Sequence, residues 1–302
     1  MSSAPDRDAI SRDATWLAQA LDPSAGIVRL IAMTAESYRA ASFLDDRMLQ
    51  SPVDAQLLPW TEVEAASAGE MRDDARWIFH IGHVGSTLIS RLLGELPGVL
   101  GVREPRLLRD LALMPSEIRA RYVAPVAKLM SRTFANEEYA CVKATSFASE
   151  IAAELVPAGQ CALFMYTGAR NYIASILAGE NSVKELHVLA DMRAQRMAGR
   201  VAALDAPERS DAHRAAAAWA CEMTALEKAA EQMTDRRITW ANFDAMLADM
   251  PPALGAVANH FGFAANETEI AAIVRGPLMH RYSKALEYEY SPRLRRELLT
   301  EA

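Results

Sequence analysis

From residue 77 onward, short apolar runs alternate with longer stretches in which apolar residues recur every three or four positions. The runs are WIFHIG (77–82), GVLGVRE (98–104), ACVKAT (140–145), CALFMYT (161–167) and RITWANF (237–243). Continuous apolar runs of this length suit strands buried on both faces. The segments between them, among them STLISRLLGEL, PSEIRARYVAPVAKLMSRTF, SFASEIAAELV and NYIASILAG, read as amphipathic helices. An Ala-rich region over 183–233 is also expected to be helical, with Ser210 or Asp211 capping its last helix. A helix pair is expected around DMPPALGAVANHFGF, and the tail HRYSKALEYEYSPRLRRELL is expected to fold over the body. The alternation predicts an α/β fold with a parallel central sheet flanked by helices.

Before residue 70 the pattern changes. ISRDATWLAQAL and RLIAMTAESYRAASFL predict a mainly helical N-terminal extension over residues 1–70. Pro59 and the small-residue stretch EVEAASAGEMRDD mark a boundary, which leaves 71–302 for the α/β domain.

Composition narrows the function classes. A chain of 302 residues is long enough for a well-buried core, and 51% hydrophobic with 24% charged residues is ordinary for a soluble protein. A net charge of −7 opposes general binding to nucleic acid, which needs a basic surface. Cys141, Cys161 and Cys221 are widely spaced and form no CxxC pair, so the expectation is buried thiols in a reducing compartment. The polar opening MSSAPDRDAISRDA has no apolar signal core, and no run reaches membrane-span length. A cytoplasmic protein that binds neither nucleic acid nor membrane is expected.

The candidate chemistry starts at the end of the first run. Gly82-His83-Val84-Gly85-Ser86-Thr87 follows a strand and opens a helix. Its glycines allow successive N–H groups to turn inward, and the helix start adds free donors and a positive dipole end. Ser86 and Thr87 place hydroxyls where a phosphate or sulfate oxygen would lie. Two readings of the six residues fit equally: a phosphate cradle, or a plain strand-to-helix turn with Gly85 and Ser86 as turn and cap. The lysine of a GK(S/T) loop is missing, which opposes Mg²⁺-dependent nucleotide hydrolysis in the manner of a kinase. His80 and His83 form an H-x-x-H without clustered Cys or acidic ligands, so no metal is expected.

The order of strand-end motifs resembles the PAPS-dependent sulfotransferase family. HVGST matches a (K/R)-x-G-(T/S)-T phosphosulfate loop at all but its basic first position, where His83 stands. GVREPR supplies Glu104, and Lys143-Ala144-Thr145 matches a lysine-bearing turn at the end of the following strand. TGARNYIAS aligns with R-x-x-R-x-x-x-x-S, keeping Arg170 and Ser175 but placing Thr167 at the first arginine. ITWANFDAML…VANHFGF and the closing Ser-Lys segment continue the order, so the likeness covers about residues 76–300.

The resemblance implies a P-loop-like fold and transfer of a sulfuryl group from PAPS, without a metal, to a small-molecule or peptide acceptor. It implies Glu104 as base, with His83 and Lys143 at the transferred group. Residues 82–87 with Arg170 and Ser175 would hold the donor, and Arg281 or Lys284 would compensate at the 3′-phosphate. A non-catalytic phosphate-binding protein on the same fold is the alternative.

Overall fold

The computed structural model describes residues 5–200 and 210–281. The amino end departs from the helical expectation. Helix α1 (Arg7–Arg12) leads into strands β1 (Trp16–Asp22) and β2 (Ile27–Ala32), then α2 (Ala35–Ala40), β3 (Ala55–Pro59) and α3 (Trp60–Ser67). The three strands form an antiparallel sheet in the order β1-β2-β3. The cause is turn chemistry. Asp22 Oδ1 accepts the N–H groups of Ser24 and Ala25, and Gly26 takes φ 63°, which closes a hairpin where Ala and Leu content suggested a helix.

The five apolar runs do form strands: β4 (Arg76–His80), β5 (Val99–Arg103), β6 (Tyr139–Lys143), β7 (Cys161–Tyr166) and β8 (Arg237–Asn242). They pair in parallel in the order β5-β6-β4-β7-β8. Both β4 and β5 are buried along their whole length, as a sheet covered on both faces requires. Helix α4 (Ser86–Leu93) follows β4; α5 (Arg106–Ala112) and α6 (Ser116–Met130) follow β5. The segment after β6 is a 3₁₀ turn and the short α7 (Ala152–Leu155) rather than one continuous helix.

Between β7 and β8 come α8 (Ala169–Leu177), α9 (Glu180–Val188), α10 (Ala190–Met197) and α11 (Asp211–Gln232). Ser210 caps α11 by accepting the His213 N–H. After β8 follow α12 (Phe243–Ala248), α13 (Met250–Phe261) and α14 (Glu267–Arg275). The tail expected to fold over the body, including Lys284, lies outside the described residues. No helix among the described residues is long and apolar enough to cross a membrane.

The chain starts its sheet in the middle. After β4 it builds β5 and β6 on one side, then β7 and β8 on the other. The crevice at the carboxyl end of such a first strand is where ligands of open parallel sheets bind. The antiparallel unit is fastened to this body by buried arginines. Arg103 donates to the backbone carbonyls of Tyr38, Arg39 and Ala41, and Arg132 donates to those of Ile10 and Trp16. Burial, reinforced by the neighbouring Arg91, lowers the Arg103 pKa to about 10, still well above neutral pH. The apolar residues of both regions belong to one continuous buried cluster.

Candidate functional site

The carboxyl ends of β4, β5 and β6 open into a cleft of about 760 Å³. At its base the glycine loop leaves β4 through an unusual backbone. Gly82 (φ 79°) and Gly85 (φ 64°) take left-handed conformations, and so does His83 (φ 52°), which has no such freedom by residue type. Gly85 is required for a second reason: a Cβ there would overlap the ring of Phe243, the first residue of α12. No side chain caps α4. Its first residues, Ser86 and Thr87, line the cleft, and their hydroxyls make no hydrogen bond among the described residues. An uncapped helix start beside left-handed loop residues is a concave set of N–H donors suited to an anion.

His80 holds the loop in this shape. Its Nδ1 accepts the Gly82 N–H at 3.0 Å, so Nε2 carries the ring hydrogen and donates to the Ala144 carbonyl at 2.9 Å. Glu104 Oε1 lies 3.7 Å from the same Nε2. Glu104 follows β5 and, like His83, is a non-glycine residue at positive φ (51°). Its N–H donates to the Lys143 carbonyl at 2.7 Å, and its Oε1 accepts from the Lys143 ammonium. That ammonium is 1% exposed, at the end of β6. His83 and Glu104 each cost on the order of 1–3 kcal/mol in this conformation, a strain that persists where surrounding bonds over-determine the geometry.

Thus His83, Glu104, Lys143 and residues 82–87 meet in one place, as their strand-end positions predict. Arg103 and Arg106, which flank Glu104 in the sequence, do other work. Arg103 holds the antiparallel unit, while Arg106 bonds Asp46 and, at 3.2 Å, Asp110. The second oxygen of Glu104 instead lies 3.8 Å from Arg47.

The other expected donor contacts are not brought to the cleft. Arg170 is exposed, Ser175 is half-buried on α8, and Arg281 is exposed; none of the three lines it. Thr167, standing where the resemblance has an arginine, is fully buried and donates to Asp244, which also accepts from Asn171 Nδ2 at 2.9 Å. Trp219 is partly buried and donates its indole N–H to the Thr167 carbonyl at 2.9 Å.

Several lining residues escaped sequence reasoning. Phe43, Asp45, Asp46 and Arg47 come from the amino-terminal unit; the Arg47 guanidinium stacks 3.2 Å from the Phe43 ring. Tyr172 meets the His83 ring edge to face at 6.1 Å, and burial, then the Glu222 charge, raises its pKa, so it remains a phenol. Only the rule that ligands sit at strand ends could have pointed to this region, and it names no residue from a distant segment. The thiols do not compete as nucleophiles: burial pushes Cys141 up to about 12 and Cys221 to about 11.

The arrangement offers an anion cradle, a neutral imidazole beneath it, and a carboxylate braced by a buried ammonium. It is competent to position a phosphate-like group and to accept a proton beside it. Compared with known proteins, the chain matches no family model, and no curated protein matches it.

Proposed function

We propose that the protein is a sulfotransferase-like enzyme on a P-loop-like fold, moving a sulfuryl group from PAPS to a hydroxyl or amine acceptor. The observation that carries this reading is the convergence of the glycine loop, the uncapped α4 start and the Glu104–Lys143 pair at three adjacent strand ends. The residues present fit the phosphosulfate end of such a donor: loop N–H groups, Ser86 and Thr87 would hold its oxygens. The donor supplies the sulfuryl group and a phosphate leaving group. Glu104 takes the acceptor's proton, and Lys143 and His80 fix the direction of its carboxylate. His83, at the position where the resemblance has a basic residue, faces the charge that develops on the leaving oxygen. The α4 dipole adds to that stabilisation without reorganising.

A second reading is favoured by one observation. Thr167 is engaged by Asp244, so negative charge stands where an arginine would meet a 3′-phosphate. On this reading the cleft binds another anionic nucleotide and transfers nothing.

Titration with 3′,5′-ADP and with ATP–Mg²⁺, followed by thermal shift, separates the two. A hundredfold excess over Kd of the true ligand raises stability by about 2.7 kcal/mol. The proposal expects the response from 3′,5′-ADP, tightened in His83→Lys, and a Glu104→Gln variant that keeps the affinity but loses transfer. A response to ATP–Mg²⁺ alone would sink it, and full activity in Glu104→Gln would remove that residue from the mechanism.

A further inference from the structure

The roof of the cleft, formed by α9 and α10, carries a charge imbalance. Three guanidiniums, Arg193, Arg196 and Arg200, surround two carboxylates, Glu150 and Glu222. Arg196 takes both Glu222 oxygens, at 2.8 and 3.0 Å, and Glu150 Oε1 at 2.8 Å. Arg200 takes Glu150 Oε2 at 2.7 Å. Both carboxylates are therefore engaged without Arg193, whose Nε reaches no nearer than 4.0 Å to Glu222. Arg193 is 8% exposed, and its Nε and Nη1 are buried without a hydrogen-bond partner. A guanidinium in that state is costly, because the Nε and Nη1 hydrogens have left water without gaining a hydrogen bond. It is also the member of the trio that lines the cleft.

The surroundings define what would satisfy it. Ile176, Val188 and Leu189 lie along the same wall, with Leu113 and Phe147 also lining the cleft. Arg109, stacked on Phe147 at 5.2 Å, adds a cation with no carboxylate partner among the described residues. The acids at this end offer little opposition. Glu185 is exposed and screened by water, while Asp45, Asp46 and Asp110 are paired with Arg47 and Arg106. Tyr172 connects the wall to the reacting end, since its ring meets His83 and its phenol lies in the field of Arg193.

We propose that Arg193 receives an anionic group of the acceptor, so that the acceptor is an amphipathic molecule bearing a carboxylate or phosphate at a distance from its reacting hydroxyl. This rests on the sulfotransferase-like reading for which molecule is the acceptor, but the anion preference itself does not depend on that chemistry. A guanidinium already desolvated and left short of partners gains charge-assisted bonds at little further desolvation cost. Neutral analogues would leave it orphaned, which is the strongest basis for rejection a buried site has.

The test is calorimetric binding of para-hydroxyphenylacetate, its primary amide and phenyl phosphate, each with and without saturating 3′,5′-ADP. The expected result is that at least one anion binds roughly tenfold or more tighter than the amide. Arg193→Gln should abolish that ratio with 3′,5′-ADP affinity unchanged, and Arg193→Lys should retain part of it. Equal affinity for anions and amide in the wild-type protein overturns the proposal. So does a preference that survives Arg193→Gln, or no binding of any probe at millimolar concentration. If Arg193→Gln does not fold, the wild-type ratio and its decline with added salt decide. Failure of 3′,5′-ADP to bind would strike the proposed reaction, whereas the part of the anion preference that Arg193→Gln removes judges Arg193 alone.

Discussion

The two halves of the sheet treat their strand ends differently. On the β4–β5–β6 side, left-handed residues, an open helix start and a buried ion pair converge on one cleft. On the β7–β8 side, the corresponding positions are closed off: Thr167 bonds Asp244, Asn171 joins them, and Arg170 faces solvent. Both ends follow parallel strands and precede helices, so topology alone does not make a site. The difference lies in whether polar groups at the strand end are left unsatisfied. A half that leaves donors open invites a ligand, whereas one that pairs them internally contributes stability.

The largest expected effect comes from closing the open half. Gly85→Ala puts a Cβ into the Phe243 ring at a positive φ and should destabilise the protein by about 3 kcal/mol, read from chemical denaturation. Phe243→Leu in the same chain should recover the packing part but not the backbone part. Wild-type stability in Gly85→Ala would mean that the loop is soft, and the contrast between the halves would collapse.

Loosening the closed half is expected to matter less. Thr167→Val removes the hydroxyl bound to Asp244 and should cost about 1 kcal/mol. Ligand affinity at the glycine loop should stay within about twofold, because Thr167 does not line the cleft. A larger drop in affinity would show that the β7 end is part of the binding site after all.

The smallest effect separates the halves by pH. His260 on α13 joins the β7 and β8 strands, with Nε2 3.0 Å from the Ala162 carbonyl and Nδ1 2.9 Å from Thr239 Oγ1. Burial, foremost, holds its pKa below the ordinary 6.5. Its neutral form is favoured by folding, so its contribution is complete above pH 6.5 and is lost as the pH falls from there through the depressed folded value. In a urea series, His260→Gln should therefore lose less stability on acidification than the wild-type protein. Identical pH profiles would remove His260 from the account.

The sequence makes these two halves unequally legible. The strands of the parallel sheet announce themselves as continuous apolar runs, and three of the five bring a polar residue to the cleft: His80 on β4, Glu104 just after β5, and Lys143 on β6. The amino-terminal hairpin does not show in the sequence pattern because β1 is buried on both faces except at Asp22, which erases the two-residue alternation that marks a strand. The Asp-Pro-Ser-Ala-Gly turn at 22–26 was the available signal. The roof was legible only as helix. Nothing in the spacing of Arg193, Arg196 and Arg200 says which two will be matched by carboxylates on other segments, because that count is settled by tertiary packing. The contribution of Phe43 and Arg47 is hidden for the same reason.

Arg103 gives the molecule a timetable. The carbonyl of Tyr38 that it binds lies 65 positions earlier in the chain, and its next neighbour is Glu104. As the polypeptide emerges amino end first, the end of α2 waits with carbonyls that Arg103 has yet to answer until β5 has been made. When Arg103 docks, the same short stretch of backbone delivers Glu104 to the strand end. Anchoring of the early segment and arrival of the acidic group are thus one event, and a chain that has not closed on itself does not yet own a finished cleft.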